Sequence, residues 1–167
     1  VKDDEGGVVE IGCPERIATL LEIFEETPQK KLVVFATYRA SIELLLRELN
    51  RNKIRCAAIH GDVNQTQRAA NIQRFQDGDL QVLVLQPQSA AHGITLTAAS
   101  TIVWFSLIPS NELYNQGNAR IVRAGQTRKT QIIMFVSTPA EKHIANILER
   151  KGEVSKEVLR LFADHRL

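Results

Sequence analysis

Between positions 114 and 130 the chain reads YNQGNARIVRAGQTRKT. Taken as a helix, this stretch puts Gln116, Arg120 and Arg123 on one face, at steps of four and three residues. Gly125 then stands where a glycine just past the last helical turn would end it. A carboxamide and two guanidinium groups share that face with no acid among them. Guanidinium stays charged and presents its donors in a fixed fork. Three other loops hold residues of the same kind. Thr37, Tyr38 and Arg39 close an apolar run, where a hydroxyl and a cation can bind phosphate; a turn capped by Thr37 is the alternative. Gln65 and Arg68 open a helix after His60 and Gly61, with Asn64 in the N-cap position. Ser89, His92, Gly93 and Thr95 lie in a long polar loop, in which Gly93 would permit close approach of the backbone.

These loops need elements to carry them, and the chain supplies strands and helices in alternation. PERIATLLEIFEET (14–27) reads as a helix with Pro14 at its first position and apolar residues at 17, 20, 21 and 24. KLVVFAT (31–37) reads as a buried strand, RASIELLLRELNRN as a helix and IRCAAIH (54–60) as a strand. The helix NQTQRAANIQRFQDG ends at Gly78, and the strand LQVLVLQ (80–86) follows it. After the loop PQSAAHGITLTAAS come the strand TIVWFS (101–106), the Gln116 segment and the strand QIIMFVS (131–137). PAEKHIANILERKG and the amphipathic VSKEVLRLFADHRL read as closing helices. The alternation predicts an α/β, doubly wound, mostly parallel sheet with helices on both faces. Ligands of such sheets gather at the carboxyl ends of the strands. Residues 1–13 read as a lead-in or tether, and 14–167 as one domain. Trp104 lies within an apolar strand and is expected in the core. Lys142 and His143 are expected at the surface.

Composition narrows the classes. The chain has 167 residues, 44% hydrophobic and 24% charged, enough for one domain with a substantial core. It opens on Val1 and has Met134 as its one methionine, so a piece of a longer protein is expected. Twenty-one basic and 19 acidic residues give +2, so nucleic-acid contact would come from a local cluster and not from a basic arm. Cys13 and Cys56 show neither metal spacing nor a disulfide framework, which fits a reduced compartment. No apolar run approaches the roughly 18 residues of a membrane span, and no membrane partner is expected. The phosphate-loop signature G-x-x-x-x-G-K-[ST] does not occur. Gly125-Gln-Thr-Arg-Lys-Thr imitates its tail, but the preceding residues lack the glycine spacing. The acidic DDE at 3–5 does not follow a buried strand and reads as solvated tail, so no metal site is expected.

Four segments, in this order, carry a family resemblance: KLVVFATYRASIELLLREL, IHGDVNQTQRAANIQRFQ, QPQSAAHGITLTAASTIVWF and YNQGNARIVRAGQ. Together they resemble motif IV, the Q-x-x-R element, motif V and motif VI of the second RecA-like lobe of superfamily 2 helicases. The last segment is similar to the Swi/Snf-type translocases, and to the phage and prophage members of that group most of all. The resemblance covers about residues 30–140. It implies an ATP-driven motor on double-stranded DNA, with RNA left open, and a cytoplasmic protein, or a nuclear one in a eukaryote. It further implies that Arg120 and Arg123 reach across a cleft to the γ-phosphate of ATP, which an N-terminal RecA-like lobe of the same protein holds with Mg2+. The acid missing from their face is then the phosphate itself.

Under the same resemblance Gln116 senses the nucleotide, and Gly93 and Thr95 lie toward it. Thr37, Tyr38, Arg39, Ser89 and His92 face nucleic acid, and Gln65 and Arg68 either meet its backbone or tie their loop to motifs IV and VI. The chain alone would then be inactive. The competing reading is a stand-alone α/β module that binds nucleic acid or protein without ATP chemistry, in which the arginines form a solvated basic face.

Overall fold

The computed structural model describes residues 14–91 and 93–150. The expected lead-in, His92 and the expected helix over 154–167 lie outside these residues. Five strands form one sheet: β1 (Leu32–Phe35), β2 (Cys56–Ile59), β3 (Val82–Leu85), β4 (Thr101–Trp104) and β5 (Gln131–Met134). Their order is β2-β3-β1-β4-β5, and every pairing is parallel. Each strand is shorter than the apolar run that predicts it, because the flanking residues turn away to start the crossovers.

The helices are α1 (Pro14–Glu26), α2 (Arg39–Arg51), α3 (Gln65–Gln76), α4 (Asn111–Asn118) and α5, helical over 139–150. A 3-10 turn, Pro87–Ala91, follows β3. Side chains alternate along the strands and build two cores. Leu32, Val34, Val82, Val84 and Val103 meet Ile17, Leu20 and Phe24 of α1 and Ile42, Leu45 and Leu49 of α2. Val33, Phe35, Leu83, Leu85, Ile102 and Trp104 meet Phe75 of α3, Tyr114 of α4 and Ala145 of α5. Strands covered on both faces account for the unbroken apolar runs LVVF, VLVL and TIVW.

Strands β1 and β4 are neighbours, yet β1 leads away to β2 on one side and β4 to β5 on the other. That reversal places the crevice of the sheet beyond Phe35 and Trp104. Ser106 Oγ accepts from the Thr37 backbone N–H at 2.7 Å, and Gln86 Nε2 donates to the Thr37 carbonyl at 3.3 Å. The three strand ends at the reversal are thus tied side by side.

Candidate nucleotide and nucleic-acid site

The Gln116 helix is shorter than the sequence predicts. Ser110 caps α4, accepting from the Leu113 N–H, and the helix ends at Asn118, before either arginine. The physical cause is competition for a carbonyl. Leu96 N–H donates to the Arg120 carbonyl at 2.9 Å, a group that a continuing helix would have given to Ala124. Gly125, at φ +97°, does not terminate the helix. It stands third in a turn closed by Gln126 N–H on the Arg123 carbonyl at 3.0 Å, where a positive φ selects glycine. Gln116, Arg120 and Arg123 therefore do not share one helix face.

Nor does the face lack an acid throughout. Gln116 Nε2 donates to Glu112 Oε1 at 3.0 Å, one turn earlier on α4, while Gln116 Oε1 is buried without a partner. Arg120 has its Nε buried and unpartnered. Arg123 is exposed, and its Nη1 donates to Thr95 Oγ1 at 3.0 Å. Among the described residues neither arginine enters a salt bridge.

The depth of α4 on the sheet is set by Gly117. A Cβ built there would lie 2.9 Å from Phe35 Cζ and 3.0 Å from Trp104 Cζ2. Those two rings stack at 4.3 Å, and Tyr114 leans on the Trp104 ring at 4.9 Å. Trp104 Nε1 donates to Asn118 Oδ1 at 3.0 Å, so the buried indole has the partner it needs. Trp104 is core, as its strand predicts. The start of the segment that carries Arg120 and Arg123 is hung from this stack.

At the carboxyl ends of β1 and β2, Arg39 Nη1 contacts His60 Nδ1 at 2.8 Å and pairs with Asp62 Oδ2. Tyr38 is the N-cap residue of α2 and gives no side-chain cap; its ring is 66% exposed. Thr37 does not cap the turn either, for its Oγ1 is buried without a partner. Asn64 caps α3, accepting from Gln67 N–H at 2.8 Å, and leaves Gln65 exposed in the first turn. Arg68 Nη2 donates to the Ser89 carbonyl. Ser89 itself is buried, so it supports the loop after β3 from within. Gly93 has φ +66°, a left-handed conformation that favours glycine, and open space around a would-be Cβ.

Two residues that sequence reasoning passed over hold the segment carrying Arg120 and Arg123 in place. Gln126 Nε2 donates to the carbonyls of Ala99 at 2.7 Å and Thr97 at 3.3 Å. Arg128 Nη2 donates to those of Ala98 at 2.8 Å and Thr97 at 2.9 Å. Both fall in the stretch that imitates a phosphate loop, and the residue types alone give no hint of backbone partners.

The donor set suits one part of a nucleotide. Arg120 has a buried donor without an acceptor, and Arg123 carries a fork of which one nitrogen has a neutral partner. A phosphate oxygen presented from outside can meet the open Arg123 nitrogens directly, whereas the Arg120 Nε can meet one only if its side chain turns outward. Among the described residues no group of three or more His, Cys, Asp or Glu could hold a metal ion, and no helix is long and apolar enough to cross a membrane.

Residues 15–125 match the model of the helicase conserved C-terminal domain. The chain is 30% identical over 168 residues to the ATP-dependent RNA helicase DBP3 of Candida glabrata, covering 95% of this chain. It spans only 30% of that relative's length. Among solved structures it resembles the C-terminal part of the Fun30 ATPase domain, with a TM-score of 0.73 and 20% identity over 80% of this chain and 44% of that one. Saccharomyces cerevisiae Dbp5 bound to RNA and ADP BeF3 gives 0.72 and 21%, over 82% of this chain and 36% of that one. At these identities the structures speak for the fold alone, which is that of RecA-like helicase C-terminal domains. Most of the curated relatives it matches are named as RNA helicases, one, JBP2 of Leishmania tarentolae, is named a bifunctional helicase and thymine dioxygenase, and together they do not single out the Swi/Snf group. With the family model matched over most of its length, the chain belongs to the helicase conserved C-terminal domain family as a second RecA-like lobe of superfamily 2.

Proposed function

We propose that this chain is the C-terminal motor lobe of an ATP-dependent translocase of the Swi/Snf type that moves on double-stranded DNA. The N-terminal lobe of the same protein would hold ATP and Mg2+, and Arg120 and Arg123 would reach the γ-phosphate when the cleft closes. The observation that carries this reading is the state of those two side chains. They are fixed at their backbones, charged, and without an acid, whereas Arg16 and Arg39 each meet one. ATP supplies the phosphoryl group and the energy of its transfer. Arg120 and Arg123 would stabilise the charge that spreads over that group, an effect worth about a thousandfold or more in rate for arginine fingers. Gln116, with a free carbonyl oxygen, would report on the nucleotide through α4, and Gly93 and Thr95 would line the same side. Arg39 and Arg68, with Tyr38, Gln65 and His92, would form one wall of a groove for the nucleic-acid backbone, with the buried Ser89 and the buried Thr37 hydroxyl supporting it from behind.

Duplex DNA is favoured by the form of the NQGNARIVRAGQ segment. RNA is the second reading, favoured by the relatives, most of which are named as RNA helicases. Turnover of the two-lobed protein with saturating duplex DNA or single-stranded RNA separates the two. Stimulation by DNA is expected, and stimulation by RNA alone would overturn the choice. The isolated chain should not hydrolyse ATP. Turnover that survives repeated purification and vanishes with Arg123→Ala would overturn the motor-lobe reading.

A further inference from the structure

The segment 119–128 contains only tight turns, and among the described residues all its long-range hydrogen bonds go to residues 95–99. The Arg120 carbonyl takes Leu96 N–H, Arg123 takes Thr95 Oγ1, and Gln126 and Arg128 take the carbonyls of Thr97, Ala98 and Ala99. The same short stretch is held from its other side by the last residue of α3. Gln76 Oε1 accepts from Ala98 N–H at 3.0 Å, and Gln76 Nε2 donates to Thr97 Oγ1 at 3.4 Å. Helix α3 begins at Gln65 and carries Arg68, which donates to the Ser89 carbonyl. A continuous chain of bonds thus runs from the expected nucleic-acid wall, through Gln76 and residues 97–99, to the two arginines.

The carbonyls of irregular backbone must find partners. Here the partners are planar side chains that each span two carbonyls, which fixes orientation as well as distance. Arg128 leaves its Nε buried and unpartnered to do so. A residue serving only to satisfy backbone groups would not carry that cost, since an unpaired buried donor is destabilising.

We propose that Gln126 and Arg128 are positioning residues, a clasp through which α3 and the finger segment move as one body. Contact with nucleic acid at α3 then sets the stance of Arg120 and Arg123. The inference rests on the finger reading above, but half of its test does not depend on it.

Gln126→Glu is close to isosteric and replaces a donor with an acceptor that faces two carbonyl oxygens. In the isolated chain, exchange of the Leu96 amide should rise about tenfold or more in this variant, while the β1 and β3 amides keep their protection. Unchanged protection at Leu96, or a rise throughout the sheet, would overturn the clasp. Arg128→Ala is the second variant and should give the same local pattern. In the two-lobed protein, Gln126→Glu should lower kcat with nucleic acid present about tenfold, with KM for ATP within about a factor of two. A rise in KM with kcat intact would assign these residues to nucleotide binding and refute the coupling. If Arg123→Ala leaves turnover intact, the finger reading fails by itself. The Leu96 amide still decides the clasp.

Discussion

Two groups of arginines differ in what faces them. Arg16 and Arg39 meet acids. Arg16 donates to Glu141 Oε2, to Ser137 Oγ at 3.1 Å and to the Phe105 carbonyl at 2.9 Å, while Arg39 pairs with Asp62 in the open. Arg120, Arg123 and Arg128 meet only a hydroxyl, carbonyls or nothing. A paired guanidinium has its charge answered within the chain. An unpaired one holds its charge for something that arrives. Folding gains little from leaving the charges of Arg120 and Arg123 unanswered on one segment, so the difference between the groups points to where function and stability part.

The largest expected effect tests that parting directly. In the two-lobed protein Arg120→Ala and Arg123→Ala should each cut kcat by at least about a hundredfold, the low side of the finger range. Melting of the isolated chain should barely move, because Arg123 is exposed and bonded to one hydroxyl, and Arg120, only partly buried, has its Nε without a partner. Lysine at 123 restores charge without the fork and should rescue poorly. The double variant should be scarcely worse than either single one if both act on one closed state. Turnover and melting temperature falling together would return these residues to the structural group.

The next effect should show the opposite signature. Gly117→Val forces atoms into the Phe35 and Trp104 rings, which are fully buried and cannot give way. Overpacking of this kind costs about 1–3 kcal/mol. Melting of the isolated chain should fall by roughly 2–4 °C for each kcal/mol lost. Turnover should fall as well, since α4 hands the chain directly to Arg120. Undiminished melting would mean that α4 can slide on the sheet, and that its depth does not place the fingers.

These two regions also differ in how far they could be read in advance. The core was legible: LVVF, VLVL and TIVW announce strands covered on both faces, and Pro14, Asn64 and Gly78 mark helix ends by local chemistry. The identity of the chemical groups was legible too, since Arg120 and Arg123 stand in a recognisable pattern. Their placement was not. Helical spacing fits Gln116, Arg120 and Arg123, and local propensity has no means of seeing that Leu96 takes the Arg120 carbonyl from 24 residues away. Gln126 and Arg128 were invisible for the same reason, because their partners are backbone atoms of a distant loop. Asp62 as the answer to Arg39 needed the ends of β1 and β2, two strands that β3 separates in the sheet.

A smaller effect is expected on the paired side. The Arg39–Asp62 pair is exposed, and such pairs contribute about 0–1 kcal/mol. Arg39→Ala should therefore leave the fold intact. A phosphate can replace Asp62 as partner at little cost, so Arg39 can still serve the groove. The slope of log affinity against log salt, for this chain with duplex DNA, should flatten by about one. Asp62→Asn frees the guanidinium and should strengthen binding. An unchanged slope with Arg39→Ala, together with unchanged binding in Asp62→Asn, would make the pair a surface feature and nothing more.

The smallest effect separates the other paired arginine from function altogether. Glu141 follows Thr138 by three residues at the start of α5, and the two form a capping box. Thr138 Oγ1 accepts from Glu141 N–H at 3.2 Å, while Glu141 Oε2 accepts from the backbone N–H groups of Ser137 at 2.9 Å and Thr138 at 3.1 Å. Partial burial pushes its pKa up, but the bond from Arg16 and the two N–H groups outweigh this and hold it below the ordinary 4.5. A carboxylate with a depressed pKa stabilises the fold above the unfolded value, and that contribution is lost as the pH falls through the folded value. The loss should therefore begin near pH 4.5 and continue downward. Glu141→Gln cannot titrate there. Stability of the variant should be lower than that of the parent at pH 7, and the gap should narrow from about pH 4.5 down. Arg16→Gln should narrow the same gap, since the two side chains act as one pair. Turnover of the two-lobed protein at pH 7 should be unaffected by either change at a temperature where both are folded. A gap that holds constant to pH 3 would show that the carboxylate is not held by its charge, and would remove Arg16 from the paired group.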